Sequence, residues 1–121
     1  MEKEFVSYEQ ALVLKELGLK EDCLASYYHA GKRLGIGEYI NHGNYTILAP
    51  LKQQVFRWFR EKYNLLGITD LLDSRTASYL ITNVIWRDII EDMQSGFTSY
   101  EEAENACIDK LIELAKQQNE N

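Results

Sequence analysis

The 121-residue sequence predicts an α+β protein. The expected architecture is one domain over 1–121, with 118–121 a frayed tail. Three helices pack on an antiparallel sheet of about five to six strands, in the order α-β-β-(β)-α-β-β-β-α. Three observations carry this reading. Apolar residues recur at helical spacing in three stretches, each with its own start or stop chemistry. The segments between them are short and rich in β-formers, and they are bounded by Gly, Asn and Asp. Finally, the strands fall in adjacent groups instead of alternating with helices, the mark of antiparallel pairing. A chain of this length buries roughly 65% of its unfolded surface and needs no metal or disulfide to fold.

The first helix is expected over Tyr8–Leu17. Ser7 precedes it and Gln10 follows three residues later, which makes a capping box, with Val6 and Ala11 at the staple positions. Gly18 stops the helix. "CLASYYHA" (23–30) reads as a strand running to a turn at Gly31, and "LGIGEYI" (34–40) as a second strand weakened by two glycines. "NHGN" (41–44) is turn chemistry, and "YTILA" (45–49) is a short strand. Pro50, a favourable first helical residue, opens the most strongly marked helix, "PLKQQVFRWFREKYNL". Leu51, Val55, Trp58, Phe59, Lys62 or Tyr63, and Leu66 share its apolar face, and Gly67 is expected to end it. "ITDLL" (68–72), "ASYLITNVIW" (77–86) and "IIEDMQSGF" (89–97) read as a meander with turns at "DSRT" and near "RD". The last helix is expected over Tyr100–Gln117, with Ala103, Cys107, Leu111 and Leu114 on its apolar stripe.

Two stretches share a pattern: "FVSYEQA" (5–11) and "FTSYEEA" (97–103). They do not mark equivalent places in two halves, so they are not a duplication. Ser7 with Gln10, and Ser99 with Glu102, are one helix-starting device used twice, and the Phe upstream packs each helix start against the core.

The net charge is −6 and unevenly spread. Residues 1–60 hold 8 Lys and Arg against 7 Asp and Glu, whereas residues 61–121 hold 5 against 12. An acidic surface repels phosphate backbones and disfavours broad nucleic-acid binding. The same charge suits a basic partner surface. Cys23 and Cys107 are too few for a zinc framework, so no metal and no cofactor are expected. "MEKEFVSYEQ" has no apolar signal core and no apolar run approaches 18 residues, so the chain is read as cytoplasmic with reduced thiols and no membrane contact.

No nucleophile elbow, phosphate loop, dinucleotide fingerprint or metalloprotease motif occurs, and a non-enzymatic protein is expected. His29 and His42 fall in turns, and Cys107 on an apolar stripe. Asp70, Asp73, Asp88, Glu91 and Asp92 surround the meander and are read as turn and solvated-face residues. The local cluster with the most chemistry is "FRWFREK". Arg57 and Arg60, three apart, lie side by side, with Lys52 a turn away and Phe56 offering a stacking face. Bland packing of Arg stems against a core helix explains the same residues. Tyr27 and Tyr28 must point to opposite faces of their strand. One of them, with Tyr39 or Tyr45, forms a candidate outer aromatic patch. The candidate ligand-binding set is therefore Lys52, Phe56, Arg57, Arg60, Tyr28 and Tyr39.

"ILAPLKQQVFRWFREKYNL" (47–65) and "FTSYEEAENACIDKLIEL" (97–114) resemble small uncharacterised proteins that recur in tailed phages and prophage-like regions of gut Bacteroidales. Their pattern is a "VSYEQAxxLKELG" helix (here Val6–Gly18), a Cys-containing strand, "APxxQQxFRWFREKY" (Ala49–Tyr63), a meander and a "TYEEAExACLxKLIEL" helix. Ser99 stands here where Thr is commoner, which keeps the cap. The resemblance implies a phage-type accessory protein in a bacterial host cytoplasm and brings no activity with it. Three functional expectations follow. The first is an interaction protein directed at a host protein. The second is a homo-oligomeric sponge for a small nucleotide. The third, from the helix–meander–helix order of 50–118, is a module like the double-stranded-RNA-binding domain. Glu101, Glu102 and Glu104 count against the last, because they stand where such a domain needs basic residues.

Overall fold

The structure is a computed structural model that describes residues 2–28, 32–36 and 46–120. Among these are three α-helices and six β-strands, so the chain has an α+β fold in the expected order. The strands divide between two three-stranded antiparallel sheets. The chain separates into two compact units, Met1–Gln54 and Val55–Asn121.

The first unit opens with a short 3-10 turn, Glu2–Glu4, and helix α1, Tyr8–Leu17. The capping box is complete: Ser7 Oγ accepts the Gln10 amide at 3.1 Å, and Gln10 Oε1 accepts the Ser7 amide at 3.0 Å. At the other end Gly18 takes φ +101°, a left-handed conformation that costs glycine little. The Leu14 and Lys15 carbonyls are thereby satisfied by the Leu19 and Gly18 amides. Strands β1 (Ala25–Tyr28), β2 (Leu34–Ile36) and β3 (Thr46–Ala49) pair in the order β2-β1-β3. Phe5 forms a single antiparallel bridge to Leu51, and the two segments enclose a core of Phe5, Ala25 and Ala49. Tyr27 packs against that core and donates its hydroxyl to the Val6 carbonyl at 2.7 Å. Tyr28 points the other way, with its ring edge over Gly35. A Cβ on Gly35 would stand 2.8 Å from that ring, so the position is kept small by space.

Helix α2, Lys52–Tyr63, carries the unit boundary within it. Val55, Trp58, Phe59 and Tyr63 are buried, and the last three form edge-on and tilted ring contacts with centroids 5.1 to 5.8 Å apart. The helix is shorter at both ends than its sequence pattern predicts. Pro50 stays outside, its carbonyl accepting the Val6 amide, and Gln54 Oε1 caps the Leu51 amide at 2.8 Å. The C-terminal stop is Asn64 at φ +58°, not Gly67. Asn tolerates this left-handed turn better than most residues.

The second unit continues with β4 (Leu65–Asp73), β5 (Thr76–Asn83), β6 (Ile89–Phe97) and α3 (Tyr100–Glu120). The sheet is a plain meander, β4-β5-β6. Gly67 lies inside β4, where a Cβ would come within 2.9 Å of Cys107 Sγ, 3.0 Å of Phe56 and 3.1 Å of Leu111. Side chains of α3 and α2 thus close on the strand at this position. Strand β5 ends at Asn83 instead of continuing to Trp86. Strand β6 slips register three times against β5. One slip falls at Gly96, whose φ of +96° suits the extra residue of a bulge. The predicted fraying of the C-terminal tail is replaced by helix as far as Glu120. Gln118 donates to the Tyr63 carbonyl and Asn119 to the Tyr63 hydroxyl, which ties the tail to the end of α2.

The second copy of the repeated stretch caps α3 differently from the first. Ser99 Oγ accepts the Glu102 amide at 3.1 Å, as in the first copy. The Glu102 carboxylate, however, reaches back to Thr98, accepting its amide at 3.0 Å and its hydroxyl at 2.9 Å. Upstream, Phe5 is buried and Phe97 packs on the Tyr79 ring at 5.8 Å.

Candidate functional site

Strand alternation assigns the two faces of the β4-β5-β6 sheet. One face meets the helices. Gly67 pairs with Ile81 and abuts Cys107 and Leu111, and Thr69 pairs with Tyr79 and bonds the Tyr100 hydroxyl at 2.7 Å. On β6, Glu91 pairs with Ile81 and meets Lys110 of α3 at 3.2 Å. Hydrogen bonds to Glu91 and Glu113 raise the Lys110 pKa, and burial raises those of Tyr79 and Cys107, the last to about 12. Cys107 is thus a core thiol and no nucleophile at neutral pH. Cys23 is held at about 11, mainly by burial. Both cysteines are free.

The opposite face carries Leu66, Ile68 and Asp70 on β4, and Ser78, Leu80 and Thr82 on β5; Ser78 and Thr82 on the central strand are buried, Leu66 and Leu80 half-buried, and the exposed groups lie on the flanking strands. From β6 it receives Ile89, opposite Thr82, and the pair Asp92 and Met93, which bulge opposite Leu80. Ile68 is 39% exposed, Met93 52% and Ile89 62%. No Lys or Arg occurs within these three strands, while Asp70, Asp73, Glu91 and Asp92 do. Glu91 has Lys110; among the described residues Asp70 and Asp92 have no ion pair.

The loop at the end of this sheet is pinned by hydrogen bonds and carries apolar side chains. Asn83 Oδ1 accepts the amides of Ile85 at 2.8 Å and Trp86 at 3.1 Å. The Asn83 backbone closes on Arg87 and Asp88, Arg87 takes φ +59°, and Val84 donates to the Asn64 carbonyl. This frame holds Ile85 63% and Trp86 75% exposed. A hairpin tip in water is ordinarily built from Gly, Asn, Asp and Ser.

The sequence-derived set falls in both units. Arg57 and Arg60 both face solvent on α2. Phe56 is half-buried, with its ring edge at Gly67. Lys62 lies over the Trp58 ring, 5.0 Å from its centroid. In the first unit, Lys52 is buried, and Tyr28 is half-buried with the Arg33 guanidinium 6.0 Å from its ring centre. Tyr39, Tyr45, His29 and His42 lie outside the described residues. Among the described residues no group of His, Cys, Asp and Glu is arranged to hold a metal ion. Among the described residues no helix is long and apolar enough to cross a membrane.

Sequence reasoning looked for an exposed patch among the tyrosines and missed the aliphatic one. Its signal is two adjacent apolar pairs in strands, Leu71–Leu72 and Ile89–Ile90, with Ile85–Trp86 in the loop between β5 and β6. Neighbours in a strand point to opposite faces, so a sheet with helices on one side cannot bury both members of a pair. Comparison with known protein families, curated proteins and solved structures finds no match to the chain.

Proposed function

We propose that the chain is a non-enzymatic interaction protein, a small accessory protein of phage type, which recognises its partner with the β5–β6 hairpin and the sheet face beside it. The observation that carries this reading is the exposure of Ile85 and Trp86 on a loop fixed by Asn83. Trp is over-represented among residues that dominate binding energy, and a loop already held in place loses little entropy on docking. The phage provenance rests on the sequence resemblance alone.

Ile85→Ser with Trp86→Ser tests the division of labour between fold and surface. The melting temperature of the double variant should stay within about 2 °C of the parent, because exposed substitutions away from structural features change stability by less than about 0.5 kcal/mol. A drop of more than about 5 °C would place these side chains in the fold and sink the reading. A nucleotide sponge is the second reading, favoured by the paired exposure of Arg57 and Arg60 on α2. It requires a cyclic dinucleotide or related nucleotide to raise the melting temperature, and Arg57→Glu with Arg60→Glu to abolish the rise.

A further inference from the structure

We infer that the sheet face turned away from α3 is a docking surface for a basic amphipathic helix of a partner protein. This rests on the reading of the chain as an interaction protein and adds the shape and charge of what it binds.

The shape follows from sheet geometry. Ile68, Leu80 and Met93 lie in one row across the three strands, and Leu66, Thr82 and Ile89 in the next, where Thr82 is buried and Ile89 is the exposed member. Adjacent strands are about 4.8 Å apart, so each row spans about 10 Å. That is the width of an α-helix with its side chains. A helix laid across these rows meets Ile68, Met93 and Ile89 on the flanking strands with half-buried Leu80 between them, and Trp86 stands exposed at the hairpin end of the same sheet.

The sign of the partner follows from the carboxylates. Asp70 and Asp92 share this face with the apolar rows, and the strands offer no Lys or Arg to neutralise them. Docking removes water from the surroundings of both carboxylates. A partner bearing Lys or Arg beside its apolar stripe compensates that loss. A second copy of this chain does not, because it brings Asp70 and Asp92 against their own counterparts, and like charges in contact suppress association. An acidic or RNA partner is disfavoured for the same reason.

The test uses two synthetic helical peptides of about 18 residues, each about 27 Å long. Both have Leu along one face, and the remaining positions are Lys in one and Glu in the other. Each is titrated into the full chain while tryptophan emission is followed. Trp58 is 8% exposed and Trp86 75%, so a blue shift on binding reports Trp86 leaving water. The Lys peptide should bind at least about tenfold more tightly than the Glu peptide at low ionic strength, with the ratio shrinking as salt is added. Asp70→Lys with Asp92→Lys should abolish or invert the preference, whereas Arg57→Glu with Arg60→Glu should leave it unchanged; circular dichroism checks that each variant is folded. Equal binding of both peptides, or binding of neither, overturns the inference. So does a dimer, seen by light scattering, that Ile89→Ser and Trp86→Ser dissociate. If the Ile85→Ser, Trp86→Ser chain keeps its melting temperature while the peptides fail, only the helix-and-charge assignment falls. If that chain melts early, the interaction reading itself falls.

Discussion

Gly67 shows how one residue sets the spacing of the second unit. Its φ is not in the left-handed region, so glycine is required there by space alone. Three side chains, Cys107, Phe56 and Leu111, would each lie within 3.1 Å of a Cβ. Gly67→Ala should therefore destabilise by about 1 to 3 kcal/mol, the usual cost of overpacking a dense core, measured by urea unfolding. Combining it with Cys107→Ala should recover part of the loss, because the nearest clash is removed and contacting sites do not add independently. The sequence invites a different role for this residue: glycine after an apolar helical run reads as a helix stop. Only the neighbours in space distinguish a stop from a close approach. Asn64, which does stop the helix, is inconspicuous in sequence because its φ of +58° is visible only in the structure.

At the scale of elements, local chemistry was legible wherever it closes within a few residues. The bounds of α1 follow from Ser7, Gln10 and Gly18, and those of β6 from its flanking turn residues. Ser7→Ala and Ser99→Ala should each cost about 1 kcal/mol in chemical unfolding, the typical loss for a helix N-cap. Neither should alter peptide binding, because both serines act by capping helices. Elements closed by distant partners were less legible. The last turn of α3 has a polar sequence and persists because Gln118 and Asn119 bond Tyr63, over 50 positions earlier in the chain. Strand β5 stops at Asn83 because that side chain folds the loop, although the apolar run through Val84, Ile85 and Trp86 continues the strand pattern.

For the whole molecule, apolar spacing and turn residues predicted the α+β class and the charge count the acidic character of the second half, but neither showed where the acidity meets apolar surface. That meeting depends on strand register. Asp92 and Met93 share the outer face only because β6 bulges between Glu91 and Gln94. The candidate site proposed from the sequence lay on α2, where Arg57 and Arg60 advertise charge. The candidate drawn from the structure lies on the sheet and its hairpin, where apolar side chains remain in water beside unneutralised carboxylates. The central claim is the location of partner docking, and backbone amide shifts of the isotope-labelled chain, with and without the Lys peptide, test it most directly. The largest shifts should fall on Leu66, Ile68, Leu80, Ile89 and Trp86. Shifts confined to α3, or to Arg57 and Arg60 on α2, would contradict it.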